Sequence, residues 1–402
     1  LAGPLTATGA VVLSGSRFVN NAGAGALSAS GGRWLVWSSN ANPFGGATPD
    51  NRGGLAYGFK QYNAIYGVTP VAQPTGNGFL YSLAPTITPG LTGTVSKVYD
   101  ATTSAPLAAA NFTPTIGVDG DVVAMSGTGA YDNPNVAGSP TKLVTATGIT
   151  AAMTSSVADG SKPVYGYTLT STTASANIGA ITPAALTVTG NTTSSGYTAA
   201  AQTNGFSTTG LLTGNGDSVT GVSGLATRTN VGTTADTLSA ATGAGLGNYT
   251  ISYANGSLTI TPAALTLNAV TATKVYDGTI LSTGTVGVVG LVGGDTVTGL
   301  SQTYASKNVL GANGSTLAVN AGYVVNDGNG GANYTVTSNT ARGTITPASL
   351  IIAADDASRP FSTPNPPFTA SYAGFVAGEG VANLGGALSF LTAATTASGP
   401  GN

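Results

Sequence analysis

Short apolar runs, each ended within several residues by Gly, Asn, Ser or Pro, follow one another along all 402 residues. No long stretch repeats its apolar positions at the 3.6-residue spacing of a helix, so the pattern predicts strands throughout and almost no helix. One apolar hexamer recurs. Ile260-Thr261-Pro262-Ala263-Ala264-Leu265 also occurs as Ile181-Thr182-Pro183-Ala184-Ala185-Leu186 and as Ile345-Thr346-Pro347-Ala348-Ser349-Leu350, with a looser copy at Ile87-Thr88-Pro89-Gly90-Leu91. The starts at 87, 181, 260 and 345 lie 94, 79 and 85 residues apart, which makes this a tandem-repeat chain. Each copy predicts a seam: the last strand of one unit, a proline, then the first strand of the next. Proline has no N–H for a sheet ladder, so it cannot sit inside a central strand, and it holds the preceding threonine extended. No Gly/Ser linker interrupts the seams, so the crossings should be stiff and the tandem units should behave as a rod.

Further positions keep step with the seams. A Gly-acid pair follows each one, with acids Asp121, Asp217, Asp295 and Glu379 at 34, 36, 35 and 34 residues after the seam isoleucine. Asn135-Val136, Asn230-Val231 and Asn308-Val309 come next, and Asn248-Tyr249-Thr250 and Asn333-Tyr334-Thr335 precede the following seams. Gly166-Tyr167-Thr168 takes a similar place in the first unit. Tyr197, Tyr276 and Phe361 each stand sixteen residues after a seam isoleucine, and Tyr99 arrives four residues early. Units of roughly 80 to 95 residues have room for six to eight short strands in a small sandwich or compact sheet. The Gly-Asp pair predicts a hairpin turn, with Gly at positive φ and Asp bonding nearby backbone. The tyrosine before the last strand predicts a core plug whose hydroxyl needs a partner at the rim.

Residues 1–86 differ. Gly, Asn and Ser punctuate "LTATGAVVLSGSRFVNNAGAGALSASGGRWLVWSS" in the manner of successive rungs of a parallel β-helix. Trp34 and Trp37 either cover an exposed last coil or sit in a buried strand, and the two readings are compatible. Tyr57, Tyr62 and Tyr66 follow in a loop-like stretch, where packing on the cap competes with partner binding. The last unit stops at Asn402 without an Asn-Tyr-Thr strand, and the chain starts at Leu1, which points to a mature product or a fragment.

Composition narrows the function. Charged residues make up 6%, against about a quarter in ordinary soluble proteins, yet 41% of residues are apolar and the net charge is −2, so the chain is not of the disordered type. Such low charge argues against nucleic acid as a partner. The chain has no Cys and no His, which removes disulfides, thiolate sites and the commonest general base and metal ligand. A cysteine-free chain suits export in an unfolded state. No apolar run reaches the length of a membrane span.

"SKVYDATTSA" at 96–105 and "TKVYDGTI" at 273–280 resemble the opening of YDG repeats, and "SRPFSTPNPPFTASYAGFVAGEGVANLGG" at 358–386 resembles the MBG type. The 191–260 stretch is intermediate, with Tyr197 present but Thr198 in place of the acid. "GGRWLVWSSNANPFGG" resembles the stretch that ends the β-helix of filamentous-haemagglutinin-like exoproteins. The resemblance implies an all-β chain: the end of a right-handed parallel β-helix over 1–86, then tandem small β-sandwich-like domains, Ig-like or β-grasp-like. These would be repeat 1 (87–182, YDG-like), repeat 2 (183–261, intermediate), repeat 3 (262–346, YDG-like) and an incomplete MBG-like repeat 4 (347–402). It implies a large adhesin on the surface of a Gram-negative bacterium, exported by a two-partner system through an outer-membrane transporter, without catalytic residues.

Some surface adhesins weld strands by a Lys–Asn isopeptide bond. Lys97 and Lys274 stand in opening strands, Asn333 lies late in the unit of Lys274, and Asp277 or Asp295 could assist. Ser195 takes the lysine's place in repeat 2, so such a device would not be universal, and the alternative is a lysine snorkelling on an edge. Asp100 and Asp277 follow tyrosine, Asp355-Asp356 are adjacent, and Asn326-Asp327-Gly328-Asn329-Gly330 has the look of a cation loop. A calcium site needs clustered oxygens, and these acids are isolated, so turns are expected and neither a metal nor a cofactor. Asn248 and Asn333 fit a glycosylation sequon, but on a repeated strand packing explains them better. "VDGDVV" and "GNGG" read as glycine turns rather than phosphate loops.

Two functions fit: an adhesin stalk attaching to glycans or to a host or abiotic surface, and a self-assembling surface or biofilm fibre with strands pairing between chains. A secreted enzyme fits poorly, with no His, no Cys and no acid cluster.

Overall fold

The computed structural model describes every residue except Ala377 and Asn402. Strands carry the fold, and among the described residues the only helical segments are three-residue 3-10 turns. The chain divides into two compact units: Leu1–Val188 with Thr208–Val222 and Ala240–Tyr253, and Thr189–Ser207 with Ser223–Ser239 and Ala254–Asn402. The division passes through the interior of residues 183–261, not along a seam.

In the first unit the N-terminal strands are parallel. Leu5–Ala7 lies beside Leu27–Ala29, and Val11–Gly15 beside Trp34–Ser38, so two stacked coils share two faces. The next turn departs from simple winding. Gly78–Tyr81 inserts between Trp34–Ser38 and Phe59–Gln61. Trp34 and Trp37 are therefore inside the stack, flanked on both sides, and do not cover its end. That end is closed by Pro163–Tyr165 of repeat 1, which pairs with Phe59–Gln61 at Val164 beside Lys60 and Tyr165 beside Gln61. Trp34 meets Phe79 edge-on at 5.2 Å inside a core with Phe18, Tyr62 and Tyr81. Tyr62 packs there, whereas Tyr66 is exposed and meets Trp37 edge-on at 5.6 Å.

Repeat 1 is built on a long hairpin, Val122–Tyr131 against Ala137–Thr154, with a bulge where Gly148 and Ile149 oppose Gly127. Ala137–Thr154 also pairs with Ala174–Thr182, which lies parallel to Val95–Val98. In the second unit, repeat 3 shows the same parallel pair, Thr273–Val275 beside Ala341–Thr346. So does repeat 2, Thr192–Gly196 beside Ser257–Thr261. Two seams have the expected form, Ala174–Thr182, Pro183, Ala184–Gly190 and Ser257–Thr261, Pro262, Ala263–Asn268; the last, Ala341–Thr346 and Pro347, resumes as a strand only at Ile351–Ala354, and the looser first copy joins the short strands Thr86–Ile87 and Gly90–Leu91. Side chains alternate along the strands after the seams, so Leu186 and Val188 face inward in one, and Leu265 and Leu267 in another.

The cores straddle the seams. One cluster joins Val95, Tyr99, Tyr131 and Ile181 with Ala184, Leu186 and Tyr249. Another joins Tyr197, Leu258 and Ile260 with Leu265, Leu267, Val286 and Tyr334. A polar pin closes the sheet of repeat 2 within the second unit. The buried Asp236 carboxylate accepts from Ala226 N at 2.7 Å, Gly256 N at 3.1 Å and Asn204 Nδ2 at 2.9 Å. Gly190 must be glycine here, because a Cβ would stand 2.0 Å from Asp236 Oδ2.

Asp236→Ala leaves these buried donors unmet at about 1–3 kcal/mol each. The urea midpoint should fall clearly below wild type, and an unchanged midpoint would contradict the role given to Asp236.

Candidate functional site

In repeats 1 to 3 a tyrosine fixed at the seam directly follows the opening strand. Its backbone N–H donates to the carbonyl of the seam threonine: Tyr99 to Thr182 at 2.8 Å, Tyr197 to Thr261 at 2.9 Å and Tyr276 to Thr346 at 2.8 Å. The threonine hydroxyl answers by donating to the carbonyls of Lys97, Ser195 and Lys274. The tyrosine thus stands beside the proline, and its ring reaches past the seam into the next repeat.

There it meets the acid of the Gly-acid pair. Asp217 Oδ2 accepts from Tyr99 at 2.6 Å and from Tyr249 at 2.7 Å. Asp295 Oδ2 accepts from Tyr197 at 3.0 Å and from Tyr334 at 2.7 Å. Asp121 Oδ2 accepts from Tyr62 at 2.9 Å and from Tyr167 at 3.0 Å. In each trio one tyrosine comes from the acid's own repeat and the other from the element before it. The two rings meet edge to face, with centroids 5.4, 5.5 and 5.1 Å apart at 81°, 78° and 80°. At the last seam the Tyr276 hydroxyl donates to Glu379, and Lys307 Nζ lies 3.3 Å from the same carboxylate.

A second clasp lies alongside. Asn248 Oδ1 accepts from Val136 N at 2.9 Å and its Nδ2 donates to Asn135 at 3.3 Å. Asn333 does the same with Val231 N at 2.9 Å and Asn230 at 3.1 Å. Asn308 and Val309 line a cavity of about 380 Å³ with Tyr276, Pro347, Leu350 and Glu379.

Local backbone aims these groups. Gly216, at φ 79°, ends the turn before Asp217. At Gly245, with φ 72°, a Cβ would stand 1.8 Å from Asp217 Oδ1, so only glycine lets the turn before Tyr249 close over the carboxylate. The expectation that the acid of the Gly-acid pair bonds nearby backbone is corrected: the carboxylate serves tyrosines from two elements. The tyrosine plug does have its rim partner.

Burial and the neighbouring carboxylates push the Tyr249 and Tyr334 phenols up to about 12. Tyr99 and Tyr197 are raised for the same reasons. At the first joint burial pushes the Asp121 carboxyl up against the opposing pull of Lys60, Tyr62 and Tyr167. At the last, the hydrogen bond from Tyr276 holds Glu379 below the ordinary range.

The YDG-like turns have their own chemistry. Lys97 Nζ donates to Asp100 at 2.6 Å and to Thr102, and Asp100 also accepts from Thr102 N at 2.9 Å. Lys274, Asp277 and Thr279 repeat the arrangement, and the hydrogen bond from Lys274 lowers the Asp277 carboxyl to about 2. Ala101 and Gly278 take positive φ between acid and threonine. In repeat 2 Gln202 substitutes, accepting from Ser195 and donating to Gly196 and Thr198. The Lys274–Asn333 weld is not supported: the ammonium is spent on Asp277, Thr279 and Leu281, and Asn333 is spent on its clasp. Asp327 is a turn acid, accepting from the N–H groups of Asn329, Gly331 and Asn333. Asp119 of "VDGDVV" pairs with Arg52 at 2.8 Å and Lys60 at 2.6 Å. Sequence reasoning missed Arg52, Lys60 and Asp119, which occur once and carry no repeat signal.

Residues 84–174 and 261–341 match the YDG domain, and residues 350–402 match the MBG domain (YGX type). Neither match covers 183–260, although the same joints form there. No curated protein matches the chain.

Tyr99→Phe or Tyr197→Phe removes one donor from a carboxylate and should cost about 1–3 kcal/mol, read as a lowered urea midpoint. Stability should also fall in alkali. Tyr249 and Tyr334 titrate near 12 when folded and near about 10 when unfolded, so the folded state holds more protons between those values. Their contribution is complete below pH ~10 and is lost as the pH climbs towards ~12, measurable as tyrosinate absorbance rising together with loss of the strand dichroism signal.

Proposed function

We propose that this chain is a non-catalytic stalk segment of an extracellular bacterial adhesin, whose repeats are held in line by tyrosine–acid joints. One observation carries this reading: the same trio of one carboxylate and two tyrosines recurs at successive seams. Enzymes concentrate polar groups in one cleft, whereas a stalk repeats one joint along its length. Matches to two repeat-type domains in series support the same reading. The surface is poor in charge and rich in hydroxyls, which suits attachment to glycans or to a host or abiotic surface by hydrogen bonds. In this reading the chain is displayed on a Gram-negative cell after export through an outer-membrane two-partner transporter.

A second reading, a self-assembling fibre, draws on one feature. Ile351–Ala354 is paired along one edge with Ala370–Ala373, and Ile351 and Ile352 are exposed. An apolar exposed strand of this kind invites pairing with another chain.

Electron microscopy of the full chain separates the outcomes. The stalk reading expects a narrow end-to-end distribution, broadened in the double variant Asp217→Ala, Asp295→Ala. A wild-type distribution already as broad as the variant's would remove the stalk reading. Sedimentation over a hundredfold concentration range should give one species; growth with concentration selects the fibre instead.

A further inference from the structure

Lys60 lies on Phe59–Gln61 with its side chain 0% exposed, near the rings of Phe44 and Tyr62. Its Nζ is 2.6 Å from Asp119 Oδ2 and closer still to Oδ1 of Asp121, whose side chain is also 0% exposed. Although the nitrogen touches it, Asp121 Oδ1 accepts no hydrogen bond of acceptable geometry. The contact therefore departs from the geometry of an ammonium set on an oxygen lone pair. Tyr62 and Tyr167 both donate to the other oxygen, Oδ2. Asp119 is held in place by two hydrogen bonds from Arg52, at 2.8 and 3.1 Å.

We propose that Lys60 and Asp121 join in an intramolecular isopeptide bond, a covalent clamp between the coil stack and repeat 1. The residues supply each part of the condensation. Asp119 takes a proton from the Lys60 ammonium and passes it to Asp121 Oδ1. The freed amine attacks Cγ of Asp121, and negative charge develops on Oδ2, where two phenol donors already point. A second proton from the nitrogen reaches Oδ1 through Asp119, the C–Oδ1 bond breaks, and water leaves. One hydrogen stays on the amide nitrogen, two depart with the oxygen, and no electrons are transferred. A dry site favours this outcome, because a buried ion pair is poorly solvated while the amide is neutral. The acids paired with Lys97, Lys274 and Lys142 are 51%, 52% and 42% exposed, so water stabilises those pairs as ions. Asp100, Asp277 and Asp132 also have no phenol donor among their hydrogen bonds in the described residues.

The test is the intact mass of the full chain in denaturant, with peptide mapping. The expected mass is one water below that of the sequence, with one branched peptide linking residues 60 and 121 and no cleavage by trypsin after Lys60. Lys60→Arg and Asp121→Ala should each show full mass. Asp121→Asn should reach the same amide by losing ammonia. A wild-type chain of full mass whose Lys60 is modified by amine reagents after unfolding overturns the proposal. So does a missing water confined to a single linear peptide. Neither result bears on whether the chain is a stalk.

Discussion

A buried carboxylate that must be satisfied by hydroxyls from two different repeats is the constraint on which the rest of this structure depends. Asp217 is almost wholly out of water, and a carboxylate in that position is costly unless its oxygens find donors. One donor, Tyr249, is local. The other, Tyr99, belongs to the repeat before. The acid is therefore fully served only when the two repeats are in register. A turn becomes a sensor of its neighbour's position, and Asp295, half-buried, is served in the same way by Tyr197 and Tyr334.

The seam makes this register achievable. Proline removes a backbone donor and fixes the chain direction, and the threonine before it binds the opening tyrosine through the main chain. The ring is thereby launched from a fixed origin. Apolar packing then runs across the seam, since Ile181 shares a core with Leu186, and Ile260 with Leu265. Core, clasp and carboxylate act at one place. Bending there would expose apolar surface and strip a buried acid of a donor at the same time.

Much of this was legible in the sequence. Strands without helices, the strand–proline–strand seams and the spacing of Tyr, acid and Asn all follow from local pattern. The partners did not. Gly216-Asp217 reads as a turn because Gly and Asp are turn residues, and the turn exists, but nothing local reveals that the carboxylate faces Tyr99. Lys274 and Asn333 share a repeat without meeting, since each is committed elsewhere. Trp34 and Trp37 suggested an end cover. The end is instead closed by Pro163–Tyr165, a pairing across more than a hundred residues that no short window contains. Recurrence marks which residues matter at the joints, and only the fold says to whom.

Among the described residues no lysine or arginine forms an ion pair with Asp217 or Asp295. Both acids lean on phenols, which carry no charge to be shielded by dissolved ions. A joint of this kind depends less on ionic strength than a surface lysine–aspartate contact does. Phenol against carboxylate is a fastening with little sensitivity to salinity.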